Sequence, residues 1–188
     1  MATPSFALSL LLLFLAMPYP SLSCPATPCE CELNLQLYLH QIVQGQPNHN
    51  QIVVTGPPVP EPAGFGTLVV IDWTVIDAIQ PNATIVARAK GMAVQASIGV
   101  SGSWFNYFSL VFENARFSGS TLEVMGNFYD PKDGQMAIMG GTGELVSAHG
   151  VIKYKKVQET IGLDTYRQFN ISAFYAPSTG YTCGAALL

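Results

Sequence analysis

Along this chain apolar side chains recur at every second position and almost never at helical spacing. Leu33, Leu35, Leu37 and Leu39 alternate with Asn34, Gln36, Tyr38 and His40, the period of a strand with one buried face. The turn cluster QGQPNHN (44–50) follows, then a short predicted strand over 51–55 and an irregular loop over 56–66 that carries four prolines. TLVVID (67–72) reads as a buried strand and 77–82 as a loop. Alternation resumes over 85–97, where Gly91 predicts a bend or bulge. WFNYFSLVFE (104–113) is the most aromatic strand, in which Trp104, Phe105, Tyr107 and Phe108 offer a sugar- or phenol-stacking face, or, as alternating spacing favours, are divided between core and subunit interface. Strands over 120–127, 135–139, 150–157 and 165–175 bring the total to eight or nine, and no helical period exceeds two turns.

Many short strands at about ten-residue spacing predict a single all-β domain, a barrel or a sandwich. Closure into a barrel removes exposed edges, which a weakly charged β-protein needs to stay soluble. Its interior is expected to include Leu35, Leu37, Leu39 and Val94 or its neighbours. The stretch 135–154 (QMAIMGGTGELVSAHGVIKY) places three glycines in four residues between two strand-like runs, which predicts strand, tight turn and return strand. A phosphate-binding loop is disfavoured, because no Lys-Ser/Thr pair and no long helix follow the glycines.

Composition narrows the class. Charged residues are 11% and apolar ones 49% of the 188, so much of the surface is uncharged, as in an oligomer or a protein with a greasy pocket. A net charge of −4 and a pI near 5.2 argue against nucleic acid. The apolar run 8–17 is too short to span a bilayer, and Ser21 and Ser23 offer a cleavage site. Residues 1–23 therefore read as a secretory signal peptide, removed to leave 24–188 as one domain with no membrane segment. In an oxidising compartment the four cysteines read as disulfides, with Cys183 joined to one of Cys24, Cys29 or Cys31. The Cys29-x-Cys31 spacing does not suit a zinc site, and His40, His49 and His149 are scattered, so no metal is expected. Asn82 and Asn170 open glycosylation sequons, Asn82 in a loop and Asn170 in a strand. Nothing resembles a nucleophile elbow, which leaves hydrolysis without support.

Five blocks, in order and at matching spacing, carry a resemblance: YLHQIV (38–43), FGTLVVID (65–72), ARAKG (87–91), VFENARFSGSTLEVMG (111–126) and MGGTGELVSAHGVI (139–152). Over 33–176 the chain resembles plant dirigent proteins. The resemblance implies an eight-stranded antiparallel β-barrel, similar to allene oxide cyclases, assembled as a homo-oligomer, a trimer ahead of a dimer. It implies secretion to the extracellular space of the plant, the apoplast, glycosylation, no cofactor, and an auxiliary role in place of an oxidase activity. A separate oxidase or laccase would make phenoxy radicals from a monolignol such as coniferyl alcohol, and the pocket would orient two of them for stereoselective coupling in lignan-type phenylpropanoid biosynthesis or plant defence. Positioning suffices there, because radical coupling needs little barrier lowering.

The expected pocket departs from the pattern of the lignan-forming members. Gln41 stands where they have an acid, Ala93 and Gln95 where they have two tyrosines, Gln135 where a second acid aligns, and His149 where they have an arginine. An amide has no proton to give, so His149 is the remaining catalytic candidate, against the alternative of a hydrogen-bonded histidine at a strand start. Asp72 is either on the pocket rim or a turn cap, His40 suits a surface or subunit contact, and Arg88 and Glu144 read as structural or exposed. Two functions follow: a stereo-directing auxiliary protein, or a binding or defence module that holds a small phenolic or sugar without chemistry.

Overall fold

The structure is a computed structural model, and it describes residues 30–56, 64–98, 102–113, 117–129 and 132–176. The expected signal peptide lies outside these residues. Nine strands follow one another: β1 (Cys31–Ile42), β2 (Gln51–Thr55), β3 (Leu68–Ile76), β4 (Ile85–Val94), β5 (Ser103–Phe112), β6 (Thr121–Tyr129), β7 (Gly134–Thr142), β8 (His149–Thr160) and β9 (Asp164–Tyr175). Each of β3 to β8 pairs antiparallel with the next strand, and β9 returns to β1 along its whole length. Pairing of Tyr38, Leu39 and His40 with Ile76, Val75 and Thr74 closes the ring, so β1 and β3–β9 form an eight-stranded antiparallel barrel. β2 stands outside the closure and continues the edge of β3 where β1 has peeled away. Asn50 fastens that divergence, because its side chain accepts from the Ile42 amide at 2.8 Å and donates to the His40 carbonyl at 2.9 Å.

Alternation decides what faces in. Leu33, Leu35, Leu37 and Leu39 of β1 are buried, as are Phe169, Ile171 and Ala173 of β9. In β4 it is Ala93 that faces in, while Val94 is half-buried. One end of the barrel is plugged by Phe112, Phe117 and Tyr175, whose rings meet at 5.7 and 6.2 Å. That end is also where Cys31 pairs with Tyr175; Cys31 forms a disulfide, and Cys24, Cys29 and Cys183 lie outside the described residues. No helix of the described residues is long and apolar enough to cross a membrane.

Two local expectations are corrected. The Gly-Gly-Thr-Gly segment is not itself the turn: Gly140 and Gly141 continue β7 against Glu123 and Leu122, and the chain reverses later, through the 3-10 turn Gly143–Leu145. Gly141 is there for room, because a Cβ would strike the Leu145 and Thr121 carbonyl oxygens. Gly91 makes no bulge either; β4 stays in register with β5, and Gly91 admits the Phe108 backbone and side chain, which a Cβ would meet.

Candidate functional site

Opposite the plugged end, the barrel opens into a cavity of about 460 Å³. It is bounded by β2, the ends of β1, β4, β6 and β8, and the starts of β3, β5 and β9. Its walls are flat and apolar where Trp73, Trp104 and Phe128 contribute. Trp73 is buried in the core, 6.3 Å from both Phe108 and Phe128, and its indole N–H donates to Gln51 Oε1 at 2.7 Å. Phe128 is fixed from behind by Tyr154, stacked at 4.6 Å. The Tyr154 hydroxyl accepts from the Tyr129 amide at 3.0 Å and donates to the Asn127 carbonyl at 3.2 Å. Burial raises the pKa of that phenol, and its bond to Tyr129 and the nearby Arg167 charge only partly offset the rise.

The polar groups of the cavity come from strand parity. Arg167 shares the inner face of β9 with Phe169 and Ile171 and is 3% exposed. Its guanidinium lies 4.5 Å over the Phe128 ring, and its Nε donates to Gln41 Oε1 at 3.0 Å. Asn106, on the inner face of β5 between Trp104 and Phe108, is completely buried, and neither its Oδ1 nor its Nδ2 has a hydrogen-bond partner. Its cross-strand neighbours are Ala93 and Gly126, which offer no polar side chain. Thr67 and Thr165 add hydroxyls, and Glu159 is an exposed carboxylate on the wall, 2.7 Å from Lys156 Nζ.

Of the residues expected to form one pocket, the structure brings Gln41 and Ala93 to this cavity. Gln95 is buried just beyond Ala93, where its backbone pairs with Thr67 and Gly66. The other three lie elsewhere, and their expected pocket placement is corrected. Gln135, placed in the pocket by the resemblance, is exposed on the outer face of β7, because strand alternation there turns its neighbour Met136 inward. His149 is exposed on the outside at the start of β8, 5.9 Å from the Phe174 ring and 3.9 Å from Glu30 Oε1. Asp72 faces outward in mid-strand and binds Arg88 Nη1 at 2.8 Å, so it is neither rim nor turn cap. It lines a separate outer concavity of about 600 Å³ together with His40 and Tyr166. There the two rings stack at 4.1 Å and His40 Nε2 lies 3.0 Å from Asp164 Oδ2, which agrees with an outward His40. Burial and the Asp164 carboxylate raise the Tyr166 pKa. Asn82 is exposed in its turn, and Asn170 is half-buried on the outer face of β9, where it accepts from Gln168 at 3.0 Å.

Sequence reasoning missed Trp73, Asn106, Phe128 and Arg167. The signal for two of them was present: Arg167 alternates with Phe169 and Ile171, and Asn106 with Phe108 and Leu110. No group of His, Cys, Asp and Glu among the described residues could hold a metal ion.

Comparison with known proteins places this barrel in a family. Residues 32–174 match the family model described as Dirigent-like protein. The chain belongs to the dirigent family. Curated relatives include Dirigent protein 7 of Arabidopsis thaliana, 28% identical over 118 residues, covering 62% of this chain and 61% of that protein. Dirigent protein 8 of the same plant is 28% identical over 117 residues, 62% of this chain and 66% of its own length. The match thus spans slightly less than two thirds of these relatives. Among solved structures, the pterocarpan synthase dirigent protein GePTS1 superposes with a TM-score of 0.72 at 25% identity, over 84% of this chain and 99% of that one. PsPTS1, a second pterocarpan synthase dirigent protein, gives 0.71 at 24% identity, over 78% and 97%. The dirigent fold is therefore shared over nearly the whole described barrel.

Proposed function

We propose that this dirigent protein uses the barrel cavity to hold and orient a planar phenolic while its coupling or ring closure takes place. The observation that carries the reading is the cavity itself: about 460 Å³, within the range of small-ligand sites, walled by Trp73, Trp104 and Phe128 and marked by Asn106, Gln41 and Arg167. Such a wall fixes which face of a flat ring is presented, and that is what stereochemical direction needs. A separate oxidase or laccase removes one electron and one proton from each phenol. Two phenoxy radicals then form one bond, and the protein contributes orientation and exclusion of water, without electrons or a cofactor. Membership in the dirigent family and the likeness to pterocarpan synthase dirigent proteins support a role in stereoselective small-molecule synthesis; the lignan-type assignment rests on the sequence resemblance. Secretion to the apoplast, glycosylation at Asn82 and Asn170, and homo-oligomeric assembly complete the proposal.

The test is chiral chromatography of the products formed from 4-hydroxy-3-methoxyphenylpropanoids with a laccase, with and without the protein. An enantiomeric excess only in its presence is the expected result, and racemic products at saturating protein would overturn the reading.

One observation favours a second reading. Apart from exposed Glu159, the described residues on the cavity wall include no carboxylic acid, and Gln41, Ala93 and Gln95 replace the acid and the phenols expected there. A barrel without a proton donor suits a carrier or defence module that binds the phenolic without directing it. Tight binding combined with racemic products would select that alternative.

A further inference from the structure

Asn106 is the least explained residue of the barrel. It is completely buried on the cavity wall, and both ends of its amide lack a partner. Buried polar side chains are nearly always hydrogen-bonded, since an unpaired amide keeps its desolvation penalty. Hydrophobic residues surround it along β5, and Ala93 and Gly126 flank it across the sheet, so an apolar side chain would fit the fold better. An amide retained at such a place, facing the space where a ligand would sit, is a binding group whose partner arrives with the ligand.

The charge on the wall identifies the other half of that ligand. Arg167 is the one cationic side chain lining the cavity among the described residues. It is buried, while the one carboxylate on the same wall, Glu159, is exposed and bridged to Lys156 at 2.7 Å. Of the two charges on this wall, the buried one is therefore the cation. A guanidinium held 4.5 Å over the Phe128 ring and oriented through Nε by Gln41 is suited to take a carboxylate, and the aromatic walls demand a flat body.

We propose that the cavity selects a planar aromatic acid, with its carboxylate taken by Arg167 and a second polar substituent taken by the Asn106 amide. The inference rests on the cavity being the ligand site, as proposed above, and narrows its substrate class from phenols in general to phenols that carry an anion. The Asn106 amide presents an acceptor and a donor side by side, which suits a ring hydroxyl next to an ether oxygen.

Three probes of one shape separate the possibilities: 4-hydroxy-3-methoxycinnamate, its methyl ester, and the corresponding cinnamyl alcohol. Both tryptophans of the chain line the cavity, so intrinsic fluorescence, checked by calorimetry, reports binding directly. The acid is expected to bind at least about tenfold more tightly than the ester or the alcohol, the scale of one buried charge-assisted contact. Arg167→Gln should bring the three to the same affinity. Asn106→Leu should weaken all three about fivefold or more while raising the melting temperature of the free protein, a combination that a merely structural asparagine would not give. The ligand series on the natural protein and Asn106→Leu stand even if Arg167→Gln fails to fold. Equal or tighter binding of the alcohol would overturn the anionic class and leave the cavity as the ligand site. Failure of all three to bind would overturn both. Unchanged affinity in Asn106→Leu would remove Asn106 from the site.

Discussion

Gln41 touches Arg167 through a single hydrogen bond, and that contact decides what an acid at this position could do. In Gln41→Asp a carboxylate would sit against the guanidinium, and a neighbouring cation stabilises the ionised form. It would act as a counter-ion and would not serve as a proton donor. We therefore expect Gln41→Asp to lower the affinity for an aromatic acid by about tenfold, the usual size of a lost or neutralised charge contact, and to leave enantiomeric excess in oxidative coupling unimproved. Gln135→Asp, on the outer face of β7, should change neither quantity. Calorimetry and chiral chromatography on the two single variants check this. A rise in selectivity with Gln41→Asp would show that the acid matters despite its arginine.

At the scale of elements, β8 is tied to the end of β6 by the Tyr154 hydroxyl, and this tie has a pH signature. Burial raises the Tyr154 pKa in the folded protein, and burial together with Asp164 raises that of Tyr166. From about pH 10, the ordinary value, the unfolded chain releases these protons while the folded one keeps them, so stability is complete below that pH and falls as pH rises through the raised values. Urea unfolding across this range should show the decline, and Tyr154→Phe should flatten it while costing about 1–2 kcal/mol at neutral pH through the lost hydrogen bonds. The same elements show how far the sequence could be read. Alternation in β1 was enough to place Leu35, Leu37 and Leu39 on the inner side, whereas Gln41, Ala93 and Gln95 were assigned to the pocket through the family resemblance. The alignment that put Gln135 in the pocket overlooked parity, which in β7 turns Met136 and Ile138 inward and Gln135 outward, while the β6–β7 register shifts between Glu123 and Val124. Asp72 looked like a strand end because it is charged, but its charge faces solvent and β3 continues four residues to Ile76, with Trp73 turned inward. The cavity itself was not legible in the pattern, since its wall is assembled from eight strands at one end of the barrel.

The whole molecule presents one outer face that water alone serves poorly. Ile52, Val70, Met92 and Tyr107 are cross-strand neighbours in one row from β2 to β5, continued by Met125 on β6. The first four are 39–51% exposed, and Phe105 and Val54 extend the patch. The adjacent row, Asp72, Lys90, Ser109 and Glu123, is polar, so the apolar band has a defined border. With 20 charged residues in 188, the chain has few charges with which to break the band up. Burial of apolar surface contributes about 25 cal/mol per Å², enough across an interface of ordinary size to hold subunits together. We expect a homo-oligomer, a trimer ahead of a dimer, that packs through the outer face of β2–β6 and leaves the barrel mouth as a separate feature of each subunit. Sedimentation velocity at micromolar concentration should give a mass well above one chain, and Val70→Lys with Met92→Lys should convert it to a monomer that still binds the phenolic probe. Both substitutions point outward, so the barrel core is not disturbed. A natural protein that sediments as a monomer would overturn the assembly, and the band would then have to be covered by something other than a second copy.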